Sequence, residues 1–166
     1  WKHGELPLED RHREPTLRES RDRTVVRLPR FWGDRAIHGC QPLEEDHNLT
    51  DMAQKYATFL ADNNLFQNSG YTYKGLEVGE NIYYGTKLTP EEMCDNWYNE
   101  VKEYDYDDPE RDVQKTGNFT QIVWKNTTRC GFGIAKSKQG YYFGVGNYFP
   151  PGNVTGEYSW NVTPEQ

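Results

Sequence analysis

Apolar residues at Leu49, Met52, Ala53, Tyr56, Ala57 and Leu60 recur at i, i+3, i+4, i+7, i+8 and i+11, the spacing of one buried helical face. This predicts an amphipathic helix with Asn48 as its N-cap and Asp62-Asn63-Asn64 as its end. A second helix opens at Thr89-Pro90-Glu91-Glu92, where Thr89 caps, Pro90 takes the first helical position and Glu92 closes a capping box. Its buried stripe is Met93, Trp97, Val101 and Tyr104, and Pro109 stops the chain from continuing as helix. Phe119, Ile122 and Val123 mark a short buried helix that Gly117 enters sharply. Pro29 suits the start of a further helix, with His38 at its end, where an imidazole favours the dipole and is not expected to ligate metal. Strand character falls on Gly75 to Tyr84 and on a hairpin, Arg129 to Lys136 with Tyr141 to Tyr148, turned at Ser137-Lys138-Gln139-Gly140.

Residues 1–27 follow neither period. They are expected to form an extension packed on the domain through Trp1, Val25, Val26 and Leu28, with residues 28–166 as one domain. Only 34% of the 166 residues are hydrophobic, so the core must lean on aromatic side chains, 14% of the chain. A net charge of -7 argues against a nucleic-acid partner, which needs a basic surface. No apolar run approaches a membrane span and no signal peptide opens the chain, so a secreted form is expected to be already processed. Five Asn-x-Ser/Thr sequons, at Asn48, Asn118, Asn126, Asn153 and Asn161, favour the secretory pathway. The acidic run Tyr104 to Pro109 lacks the glycine and closing glutamate of an EF-hand and reads as a solvated loop.

Three motifs occur in order: Gly79-Glu80-Asn81-Ile82, Gly117-Asn118-Phe119-Thr120-Gln121 and Asn147-Tyr148-Phe149-Pro150-Pro151-Gly152-Asn153. On these the chain resembles the CAP superfamily, also called SCP/TAPS, over roughly residues 30 to 163, and within it the helminth venom-allergen-like proteins. Arg35 and His38-Gly39 fit the family's first helix, whereas Phe31-Trp32 replaces its His-Asn pair and Gly146 replaces a cysteine. The resemblance implies an α+β fold, a three-layer α-β-α sandwich with a small, mainly antiparallel sheet. It also implies a disulfide between Cys94 and Cys130, leaving Cys40 over; three buried thiols are the alternative.

The family cleft pairs two histidines with two glutamates, and the matching positions here are Asn68, Glu80, Glu100 and Asn118. With both imidazoles replaced by neutral amides, no zinc and no cofactor are expected; magnesium or calcium would be held only weakly. No Ser-His or Cys-His pairing is signalled. The resemblance therefore points to a secreted, non-enzymatic lipid-binding protein. Trp32, Ile37, Phe119 and Ile122 would line a fatty-acid groove, and Tyr104 and Tyr106 a sterol-binding loop. One alternative is a glycosylated, immunomodulatory surface that binds a host protein, with sugars on Asn48, Asn126, Asn153 and Asn161 but not on Asn118, where a glycan would fill the cleft. A second is a hydrolase using Glu80 and Glu100.

Overall fold

In a computed structural model describing residues 29–86 and 89–166, a four-stranded sheet lies between two helical layers. The elements in order are α1 (Pro29–Ile37), β1 (Glu44–Glu45), α2 (His47–Asn63), β2 (Thr72–Tyr73), β3 (Leu76–Glu77) and β4 (Gly79–Gly85). Then follow α3 (Pro90–Tyr98), a 3-10 helix (Asn99–Glu103), α4 (Val113–Ile122), β5 (Arg129–Lys136), β6 (Tyr142–Phe149) and α5 (Tyr158–Asn161). The sheet order is β1-β5-β6-β4, antiparallel apart from the short parallel pairing of β1 with β5. The fold is the α+β sandwich that the motifs imply.

Strand alternation separates the two layers. On one face, Ile82, Phe143 and Val145 pack with Ala53, Tyr56, Ala57 and Leu60 of α2. That helix sits almost on the strand backbone: a Cβ on Gly131 would lie 2.1 Å from the Thr50 nitrogen, and one on Gly133 2.4 Å from Gln54. On the other face, Cys130, Phe132 and Tyr148 meet Met93, Cys94 and Trp97 of α3, Phe119 and Ile122 of α4, and Cys40 and Leu43 after α1.

Several local expectations change. The N-cap of α2 is Asp46, whose Oδ1 accepts from the Asn48 and Leu49 N–H groups, while Arg129 holds its other oxygen at 2.9 Å. Gly117 lies inside α4, and the entry is Asp112, in the left-handed region at φ 53°. The capping box of α3 is present as expected, with Thr89 and Glu92 bonding reciprocally. The Cys94–Cys130 disulfide is not formed: Cys40, Cys94 and Cys130 are buried free thiols. Burial holds Cys130 protonated, its thiol pushed up to about 12, and the Cys40 thiol donates to the Val123 carbonyl at 3.0 Å. The expected extension, residues 1–27, and the Trp32 side chain lie outside the described residues.

Candidate functional site

Glu100 stands in the 3-10 helix that continues α3, turned toward α4. Its Oε1 accepts from the backbone N–H groups of Asn118 at 2.9 Å and Phe119 at 3.1 Å. Its Oε2 accepts from the Asn118 carboxamide at 2.9 Å. A carboxylate only accepts, so Asn118 presents its nitrogen here, not its amide oxygen. Burial pushes the Glu100 carboxyl above the usual range, and the bonds from Asn118 and Phe119 pull it partway back.

Glu80 is held separately. Strand alternation puts it on the side of Ile82, toward Tyr56 and Tyr71. Its two oxygens accept from the N–H of Ser69 at 2.7 Å and the hydroxyl of Ser69 at 2.6 Å. Burial raises this carboxyl too, against the Ser69 bonds, and its charge helps push Tyr71 up to about 12. The neighbouring Asn81 links the halves, its carboxamide donating to the Asn118 carbonyl and to the buried Tyr148 hydroxyl, each at 3.1 Å. Asn68, expected in the cleft, is exposed; the residue that holds Glu80 is Ser69.

This donor set does not fit zinc. The Asn118 nitrogen faces Glu100, both oxygens of each glutamate already accept bonds, and no imidazole or thiolate joins them. Among the described residues no three His, Cys, Asp or Glu side chains gather as a metal-holding group.

The residues expected to meet lipid are dispersed. Ile37 is 42% exposed at the end of α1, whereas Phe119 and Ile122 are fully buried in the core. Tyr104 is buried edge-on to Phe119 at 5.6 Å and to Tyr106 at 4.8 Å, and Tyr106 is half-buried. The Tyr104 hydroxyl is buried without a hydrogen-bond partner among the described residues. An open surface pocket of about 460 Å³ between β4 and α3, lined by Tyr83, Thr86, Glu92, Asp95 and Asn99 among others, touches none of these lipid-facing candidates. Asn48 and Asn126 are exposed. Asn153 is half-buried, bonded to Thr120 and to the Gly117 carbonyl. Asn161 is 2% exposed, with its amide bonded to the Asn126 N–H and the Glu157 carbonyl, which leaves a sugar no room.

Two residues that shape the site escape local sequence reading. Arg35 is fully buried and donates to the carbonyls of Gln41, Ile122, Trp124 and Thr127 at 2.8–3.2 Å, tying α1 to the end of α4. Gln121 accepts from the Gly152 N–H at 2.8 Å and donates to the Thr127 hydroxyl at 3.1 Å. Gly79 and Gly152 let it approach, since a Cβ on either would lie within 2.8 Å of the Gln121 amide. The sequence signal for Gln121 is its place in the second motif, and that for Arg35 its match to the family's first helix.

Known proteins are similar to this chain in sequence and in fold. Residues 28–148 match the family model of CAP, the cysteine-rich secretory protein family. The human Golgi-associated plant pathogenesis-related protein 1 is 38% identical over 133 residues, covering 78% of this chain and 85% of its own length. Pathogenesis-related protein 1B of tobacco, Nicotiana tabacum, is 35% identical over 127 residues, covering 74% and 72%. The structure of Schistosoma mansoni venom allergen-like protein 4 superposes with a TM-score of 0.59 at 22% identity, over 82% of this chain and 88% of that one, a likeness of fold. With the three motifs and the sandwich in place, the chain belongs to the CAP family.

Proposed function

We propose that this chain is a non-enzymatic CAP module that works by binding a lipid, a fatty acid or a sterol, in a secreted setting. The observation that carries the non-enzymatic part is the closure of both cleft carboxylates: Glu80 onto Ser69 and Glu100 onto Asn118. A hydrolase working through these two carboxyls needs one to hold a proton while the other is ionised, and burial shifts both in the same direction. The lipid part is supported by the loop at Tyr104 and Tyr106. There a buried hydroxyl without a hydrogen-bond partner among the described residues sits among aromatic rings, a match for an apolar ligand with one polar end such as a sterol hydroxyl. A fatty acid would enter beside Ile37, with Phe119 and Ile122 as the packed floor and Trp32 on the same helix. The exposed sequons Asn48 and Asn126 favour passage through the secretory pathway, and no helix among the described residues is long and apolar enough to cross a membrane.

A second reading, an interface for a host protein, draws on the aromatic edge where Phe66, 64% exposed, meets Tyr84, 45% exposed. Extraction of the purified protein with mass spectrometry, and competition by labelled palmitate and cholesterol, separates the two. Saturable lipid binding weakened by Tyr104→Ala supports the lipid reading. Absence of any co-purifying lipid and of saturable uptake rejects it in favour of the protein interface.

A further inference from the structure

Two of the chain's sequon asparagines, Asn126 and Asn161, meet in space, and the fold uses them differently. Asn126 sits in a tight turn, Trp124 to Thr127, closed by the Thr127 N–H donating to the Trp124 carbonyl at 3.2 Å. The short helix α5 docks against this turn. The Lys125 N–H donates to the Asn161 carbonyl at 3.1 Å, and the Asn126 N–H to the Asn161 side-chain oxygen at 3.0 Å. The Asn161 carboxamide nitrogen donates to the Glu157 carbonyl at 2.9 Å, so both ends of that amide are engaged. Beneath them the buried rings of Trp124 and Tyr158 meet edge-on at 5.1 Å. Asn161 is thus occupied in holding Asn126, which makes this contact through its backbone and lies exposed. Thr128, the third residue of the Asn126 sequon, is exposed as well.

The outer side of α5 carries an indole. Tyr158 and Asn161, three residues apart, are both buried, whereas Trp160 between them is 58% exposed. A tryptophan this open presents a large flat apolar surface and a ring N–H that can only donate. It directly precedes the residue that holds the Asn126 backbone, so the indole and the Asn126 side chain stand on two elements in contact. A pyranose ring suits that surface. Its C–H face packs on the negative face of an aromatic ring, and an N-acetyl carbonyl accepts from an indole N–H. We propose that Asn126 carries an N-linked glycan whose first N-acetylhexosamine stacks on the Trp160 indole and bridges the Trp124 to Thr127 turn to α5.

The modification is a group transfer without oxidation or reduction. The Asn126 amide nitrogen bonds to the anomeric carbon of an oligosaccharide carried on a lipid pyrophosphate. The carbon–oxygen bond to the pyrophosphate breaks, the lipid pyrophosphate leaves, and one amide proton passes to a base of the transferase. A sugar on Asn161 instead would remove the nitrogen's bond to Glu157 and force apart a residue that is 2% exposed, undoing the contact that holds the turn. The inference rests on the secreted setting proposed above, where such a transferase is met, and not on the lipid that the same reading assigns. Because the sugar is attached to the turn and the indole to α5, any opening that lifts α5 from the turn must also break the stack. The Lys125 amide, bonded across that contact, reports the opening.

The test uses the full chain secreted from eukaryotic cells behind an appended signal sequence, with glycopeptide mapping of Asn126. Hydrogen exchange of the Lys125 amide is then compared in the wild type, Asn126→Gln, Trp160→Ala and the double variant. An aromatic stack of ordinary strength predicts exchange about two- to tenfold slower in the wild type than in Asn126→Gln. In the Trp160→Ala background the forms with and without the sugar should exchange alike. The N-acetyl methyl signal should also be shifted upfield by the indole, and return on Trp160→Ala. A bare Asn126, or the same slowing by the sugar with and without Trp160, would overturn the proposal. Both substitutions fall on exposed residues, and Asn126→Gln keeps the backbone bond to Asn161, so the variants retain the fold on which the comparison depends. Lipid extraction of the same material keeps the two readings apart. Bound lipid with a bare Asn126 overturns this inference alone, and a stacked glycan without saturable lipid overturns the lipid reading alone.

Discussion

The two faces of the sheet are held by different physics. The α2 face is an apolar contact without spacers, in which Leu49, Ala53, Ala57 and Leu60 are fully buried and the helix backbone rests on Gly131 and Gly133. The opposite face packs α1, α3 and α4 through directional polar bonds that run deep into the layer: Arg35 to four carbonyls, Asn81 to Asn118 and Tyr148, and Gln121 to Gly152 and Thr127. Shape does most to position the first layer, with Gln54 of α2 bonding both backbone groups of Ile134 at its margin. In the second, the end of α1 and the end of α4 are joined by bonds whose loss leaves buried groups unpaired, and this is the layer that carries Glu100 and Asn118.

Arg35→Ala tests the polar face most severely. It strands the carbonyls of Ile122, Trp124 and Thr127, and unfolding by urea should show a loss of about 3–5 kcal/mol. A loss below about 1 kcal/mol would mean that α1 is not keyed in this way. Gly131→Ala tests the apolar face. Its Cβ meets the Thr50 backbone nitrogen at 2.1 Å, so the helix must lift, at a cost of about 1–3 kcal/mol. An unchanged midpoint would show that α2 does not bear on the strand.

The smallest effect concerns pH. Glu80 and Glu100 both have carboxyls raised by burial, so the folded chain binds their protons more tightly than the unfolded chain does. Their contribution is fully present below the ordinary carboxylate range and is lost as pH rises through their raised folded values. Melting temperature should therefore fall slightly over that window in the wild type, and the slope should flatten in Glu80→Gln/Glu100→Gln. An unchanged slope would place the titration elsewhere.

Elements held by local periodicity were legible in the sequence. The stripe from Leu49 to Leu60, the Thr89 capping box and the hairpin around Gly140 all follow from neighbours within a few residues. What was not legible depends on distant partners. Asp46 outcompetes Asn48 as the cap with Arg129, 83 residues away, clamping its second oxygen. Gly117 reads locally as a break, yet α4 continues through it, with Asn153 donating to its carbonyl and accepting in turn from the Thr120 hydroxyl. In the site, the motifs pointed to Glu80, Glu100 and Asn118. They did not show that Asn118 turns its nitrogen inward, or that Ser69 takes the place expected for Asn68.

The closure of the two glutamates is most directly tested by zinc titration of the purified protein at neutral pH, followed by calorimetry and by the carboxyl carbon signals of Glu80 and Glu100. Closure by Ser69 and Asn118 predicts no saturable zinc uptake at these residues and no movement of either signal. One equivalent of zinc bound with both carboxyl signals displaced would contradict it.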